Sequence, residues 1–149
     1  MAAKWLRRPV VWQSVCAPLA AVSLWGTDLC HSADAPTLAI ELNKLETFDK
    51  GCRAYVVINN AGDAFQVVKL DLVLFQPDGV IARRFAVDLA PLKGSKKTVK
   101  LFEIEGLACD KISSVLVNDV MECRADAGAV TDCLAKMSFS SVAGPALSK

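Results

Sequence analysis

The segment Phe65 to Phe75, FQVVKLDLVLF, followed at once by Gln76-Pro77-Asp78-Gly79, constrains the fold more than any other part of the chain. Successive side chains of an extended strand point to opposite faces. Val68, Leu70, Leu72 and Leu74 therefore share one side, and Lys69 and Asp71 the other. A slip of one residue would bury the charges, so the aliphatic row is expected to face the core. In the turn, Pro77 holds φ at about −65° and Gly79 accepts a positive φ, which predicts a hairpin into the strand Val80 to Val87. On that strand Ile81, Phe85 and Val87 share a side, Arg83 breaks the row, and Arg84 lies opposite.

Similar short runs recur on both sides of this hairpin. Leu38, Ile40 and Leu42 alternate with polar residues, and Cys52 to Asn59 is rich in β-branched residues before the turn cluster Asn59-Asn60-Ala61-Gly62-Asp63. Beyond Pro91 and the loop Lys93 to Lys97, three further strands are predicted at Thr98 to Ile104, Ile112 to Cys123 and Leu134 to Val142. The tail 143–149 contains Gly144 and Pro145 and is expected to fray. Seven short strands without a sustained 3.6-residue period predict an all-β, immunoglobulin-like sandwich, with a small barrel as the second choice.

Residues 1–35 have a different character. All three tryptophans, the single His31, and Cys16 and Cys30 of the six cysteines lie there. Lys4, Arg7 and Arg8 precede an uncharged stretch from Val10 to Gly26, and Ala33-Asp34-Ala35 supplies an A-x-A pattern. This is the order of a cleavable signal peptide, with an earlier cut after Ser23 as the alternative. The apolar stretch is shorter than the ~20 residues of a membrane span, so no stable membrane insertion is expected after cleavage. Arg7-Arg8 leaves the twin-arginine route open beside the general secretory one. Neither Cys16 nor Cys30 has the small-residue setting of a lipid attachment site.

One domain is then expected over residues 36–149. Lys4, Arg7 and Arg8 account for three of the 17 basic residues, and Asp28 and Asp34 for two of the 16 acidic ones, which leaves 14 of each from Pro36 onward. That neutrality argues against nucleic-acid binding by bulk charge, and an apolar share of 53% argues against disorder.

Cys52, Cys109, Cys123 and Cys133 remain in this domain, an even count that in an exported chain predicts two disulfides. In the sandwich the second and fifth strands run antiparallel as neighbours, which brings Cys52 to Cys109. Cys123 and Cys133 flank the last hairpin and are expected to pair. The spacings fit neither a Cys-x-x-Cys redox pair nor a zinc site, and no histidine follows His31. Without histidine a Ser-His-Asp or Cys-His arrangement has no base, and no Ser-x-x-Lys motif replaces it. Ser95-Lys96-Lys97 reads as a solvated turn, and Glu103, Glu105 and Asp110 as solubilising charges. No catalytic residue, cofactor or metal is assigned.

The remaining candidate is a basic surface. Lys93, Lys96, Lys97 and Lys100 surround one turn, and Arg83 and Arg84 lie on the preceding strand, so one end of the sandwich is expected to carry positive potential. The run Leu70 to Ile104 resembles a group of small exported bacterial proteins known by their twin-arginine-type leaders. Asp78-Gly79 and Leu92-Lys93-Gly94 within it resemble the hairpin and turn of periplasmic immunoglobulin-like modules. The resemblance implies a periplasmic location and a β-sandwich, and brings no activity. The expectation is a non-enzymatic binding or accessory module of the bacterial envelope, meeting another envelope protein through a sheet edge or the basic end. The alternative is a small periplasmic ligand carrier or enzyme with a pocket between the sheets, for which Asn118 and Asp119 are the polar candidates.

Overall fold

The computed structural model describes residues 36–149. The assignments made to residues 1–35, the leader and its cleavage pattern, lie outside the described residues. Among the described residues nine strands form two sheets: β1 (Leu38–Phe48), β2 (Gly51–Asn60), β3 (Phe65–Phe75), β4 (Ile81–Asp88), β5 (Lys96–Glu105), β6 (Ser114–Ala125), β7 (Gly128–Ala129), β8 (Met137–Ser141) and β9 (Ala146–Ser148). The first sheet has the order β5-β2-β1-β8, and the second runs β4-β3-β6, with β7 and β9 also paired to β6. This is an all-β, two-layer sandwich.

The core follows from the alternations. Leu38, Ile40 and Leu42 of β1, Ile58 of β2 and Leu70 and Leu74 of β3 are all at most 4% exposed. On the chain's own hairpin, Gly79 takes φ 83° and its N–H closes the turn on the Gln76 carbonyl at 2.9 Å. That is the positive φ for which a glycine was expected there.

Three features depart from the sequence expectation. Nine strands replace seven. The residues assigned to a seventh strand, Leu134 to Val142, divide into a 3-10 turn (Cys133–Lys136) and the shorter β8, which pairs parallel to β1. The tail does not fray: Ala146–Ser148 runs parallel to Ser114–Leu116 of β6, and the Lys149 ammonium donates to the carbonyls of Leu134 and Met137 at 3.1 and 3.0 Å. Backbone pairing to an open strand flank outweighs the loop-forming composition of Gly144-Pro145.

Cys52 bonds Cys109 and Cys123 bonds Cys133, the pairs given by the strand order. The β2–β5 ladder sets Cys52 opposite Ile104, and the chain then turns through a 3-10 segment (Cys109–Lys111) that returns Cys109 to the start of β2.

Candidate partner-binding side of the sandwich

β4 ends the second sheet and β5 ends the first, so the two strands that follow one another in sequence leave neighbouring edges. The link between them crosses from one sheet to the other at a single end of the sandwich. There Leu92 exchanges two backbone hydrogen bonds with Phe65, and the Ser95 N–H reaches the Gly62 carbonyl at 3.1 Å. Along the rest of the seam nothing among the described residues pairs with β5 on its outer flank.

Side chains on β5 alternate. Thr98, Lys100, Phe102 and Ile104 face the inter-sheet space, and Lys97, Val99, Leu101, Glu103 and Glu105 the outer face. Val99 is 61% and Leu101 47% exposed, which is unusual for aliphatic residues in the middle of a strand. They adjoin Val57 and Tyr55 of β2, their register partners. Around them lies a polar frame: Arg53 donates to Glu103 at 2.9 Å and covers the Phe48 ring at 4.6 Å, and the Tyr55 hydroxyl donates to Glu46 at 2.5 Å. Accepting that hydrogen bond, first, and the Lys44 ammonium, second, lower the Glu46 pKa, while the same bond raises that of Tyr55.

Between the sheets a cavity of about 50 Å³ is lined only by apolar residues, among them Val56, Leu72, Phe85 and Phe102, which are half-buried. The volume is a third of the roughly 150 Å³ of an engineered cavity that holds benzene. No polar group points into it. Asn118, proposed as a pocket residue, lies instead on the outer face of the second sheet. It is the extra residue of a bulge, since Leu72 pairs with Val117 and Asp71 with Asp119. Its amide donates to Asp71 at 2.7 Å.

The six basic residues do not form one patch, a correction to the single positive end expected above. Lys93, Lys96 and Lys97 are exposed together at the start of β5. Lys100 folds inward and its ammonium donates to the Ala90 carbonyl at 3.2 Å, over the chain crossing. Arg83 sits at the opposite end of the seam, with Nη2 3.7 Å from where a Cβ on Gly106 would stand. Ten residues of strand, about 33 Å, separate Gly106 from Lys96. Arg84 is occupied: its Nε and Nη2 donate to the Asp71 carboxylate at 2.8 to 3.1 Å. β4 runs antiparallel to β5 across the seam, which places its first residues beside the end of β5, so sequence proximity misled.

Asp71 is only 6% exposed although it alternates with the core-facing Leu70 and Leu72. Arg84 from β4 and Asn118 from β6 close over it. Their hydrogen bonds, Arg84's the larger, stabilise the ionised carboxylate and hold its pKa below the ordinary value. A carboxylate whose pKa is lower folded than unfolded contributes stability that is present above the unfolded pKa, ~3.9, and is lost as pH falls through the folded value. Denaturant titrations over a pH series are expected to show Asp71→Asn less stable than the parent at pH 7, with the difference shrinking in acid. A constant difference across that range would remove the ion pair as its cause.

Among the described residues no cluster of His, Cys, Asp or Glu has the arrangement of a metal site, and no helix is long and apolar enough to cross a membrane. Two disulfides point to an oxidising, exported setting. No protein-family model, no curated protein and no solved structure matches this chain, and its function therefore rests on the geometry of this side.

Proposed function

We propose that the protein is a non-enzymatic binding module of the bacterial periplasm, which engages its partner by accepting a strand on the free edge of β5. The observation that carries this reading is the open seam. β5 offers ten residues of edge, Val99 and Leu101 stand exposed on it, and half-buried Phe85 and Phe102 flank the gap behind it. An added strand would take its affinity from main-chain hydrogen bonds and its selectivity from alternate side chains, one set over the outer aliphatic pair and the other over the seam.

Reading the strand order as immunoglobulin-like supports the same proposal. In that order the strands A, B and E share a sheet with D beside E, and C and F form the other. Here β1, β2 and β5 stand where A, B and E would, and β3 and β6 where C and F would, while the flank of β5 that D would occupy has no strand among the described residues. The two disulfides favour the periplasm over a reducing compartment. An apolar cavity of about 50 Å³ without a polar lining gives a substrate nothing to be oriented by, which favours binding over catalysis.

Site-specific photo-crosslinking in periplasm tests the surface. A photoreactive residue at Val99 is expected to give a discrete adduct, and one at Met121, which is 57% exposed on β6, to give none. Adducts at Met121 and none at Val99 would assign the interaction to another face.

A further inference from the structure

We infer that the strand accepted by β5 is the β5 of a second copy of this chain, paired antiparallel about a two-fold axis through Leu101. The inference rests on the strand-addition reading above and names its partner. Free sheet edges are normally guarded by charges that repel an incoming strand. On β5, KKTVKLFEIE, the two signs are instead segregated, with lysines at 96, 97 and 100 and glutamates at 103 and 105. An antiparallel copy reverses that order, so basic meets acidic at both ends, and a two-fold interface repeats each favourable contact.

The register follows from what is already engaged. A two-fold axis normal to the sheet keeps outer face with outer face, so only residues of the same parity stand opposite one another. Of the three outer-face charges, Glu103 is held by Arg53 at 2.9 Å, while Lys97 and Glu105 enter no ion pair among the described residues. Lys97 and Glu105 lie equally far from Leu101. An axis there pairs each Lys97 with the Glu105 of the other copy and puts the two exposed Leu101 side chains together. On the inner face Lys100 then faces Phe102, and the two Phe102 rings become diagonal neighbours above the seam. An axis through Lys100 is excluded by the same logic, because it sets two ammonium groups directly opposite. The product is one continuous sheet made from two four-stranded ones, with the edge of β5 consumed.

A charge-swap series on the oxidised protein as isolated, followed by sedimentation equilibrium, tests the proposal. The parent is expected to dimerise reversibly, less tightly at high salt. Lys97→Glu and Glu105→Lys each set two like-charged pairs across the axis and are expected to weaken the dimer roughly tenfold, while the double variant K97E/E105K restores it. A dimer indifferent to the single changes, or not rescued by the double, would overturn the register. A parent that stays monomeric while Val99 crosslinks to a different protein would overturn self-pairing and leave the strand-addition reading standing. A monomer that gives no adduct at Val99 would remove both.

Discussion

Replacing Cys52 and Cys109 together with alanine is expected to lower stability by about 4 kcal/mol, against about 3 kcal/mol for the Cys123 and Cys133 pair. The two bonds close loops of sequence separation 57 and 10, and the longer loop removes more freedom from the unfolded chain. Packing does not separate the two: each bond joins one buried cysteine, Cys52 in the cluster with Leu42, Leu74 and Ile104 and Cys133 in the cluster with Val68 and Met137, to a half-buried one, Cys109 or Cys123. Loss of the first bond also frees the turn that brings the end of β5 back over β2, where Gly106 donates to the Lys50 carbonyl at 2.7 Å. Denaturant unfolding of the two double variants measures the order. A costlier loss at Cys123 and Cys133 would show that the hairpin end, not the β2–β5 end, limits unfolding.

What the sequence made legible is what one strand's own alternation decides. The aliphatic rows of β1 and β3, the Asp78-Gly79 hairpin and the β2–β5 neighbourhood behind the first disulfide all follow from local pattern plus chain order. What stayed hidden depends on residues far away in sequence. Asp71 has the pattern of a solvent-facing residue, and only the joint approach of Arg84 across the β3–β4 ladder and Asn118 from a bulge in β6 buries it. Asn118 stands out in the sequence as a polar break in an apolar strand, but the carboxylate it serves lies 47 residues away.

The candidate surface divides in the same manner. That β5 carries lysines early and glutamates late is plain in the sequence, but that no strand among the described residues pairs with its outer flank is a property of the two-sheet order. The six basic residues were grouped by their nearness along the chain. An antiparallel crossing sent Arg83 to the far end of the seam, turned Lys100 inward, and engaged Arg84 with Asp71. A charge cluster is a three-dimensional quantity, and a turn between strands of different sheets separates residues as readily as it gathers them.

Asn60→Ala is expected to cost roughly 2 to 4 kcal/mol, because the residue is a buried junction and not merely part of a turn. It is 1% exposed at the end of β2. Its amide donates to the carbonyls of Asp63 and Lys93 at 2.6 and 3.1 Å, and its carbonyl oxygen accepts from the Gly62 N–H at 3.1 Å. The two loops it joins touch closely: a Cβ on Gly94 would stand 2.9 Å from the Gly62 carbonyl oxygen, so only glycine fits there. Truncation removes three hydrogen bonds of about 1 kcal/mol each and takes from the Asp63 and Lys93 carbonyls and the Gly62 N–H their common partner. Asn60→Asp separates the roles. It keeps the acceptor for Gly62 but sets a carboxylate against two carbonyl oxygens, which raises its pKa above that of the unfolded chain. The variant should therefore be least stable at neutral pH and recover as acid protonates it. Hydrogen exchange supplies the local readout, since the Ser95 amide, which leads into Lys96 and Lys97, should lose protection with that of Gly62. Unchanged exchange at Ser95 in Asn60→Ala would show that the Phe65–Leu92 bridge alone holds the start of β5.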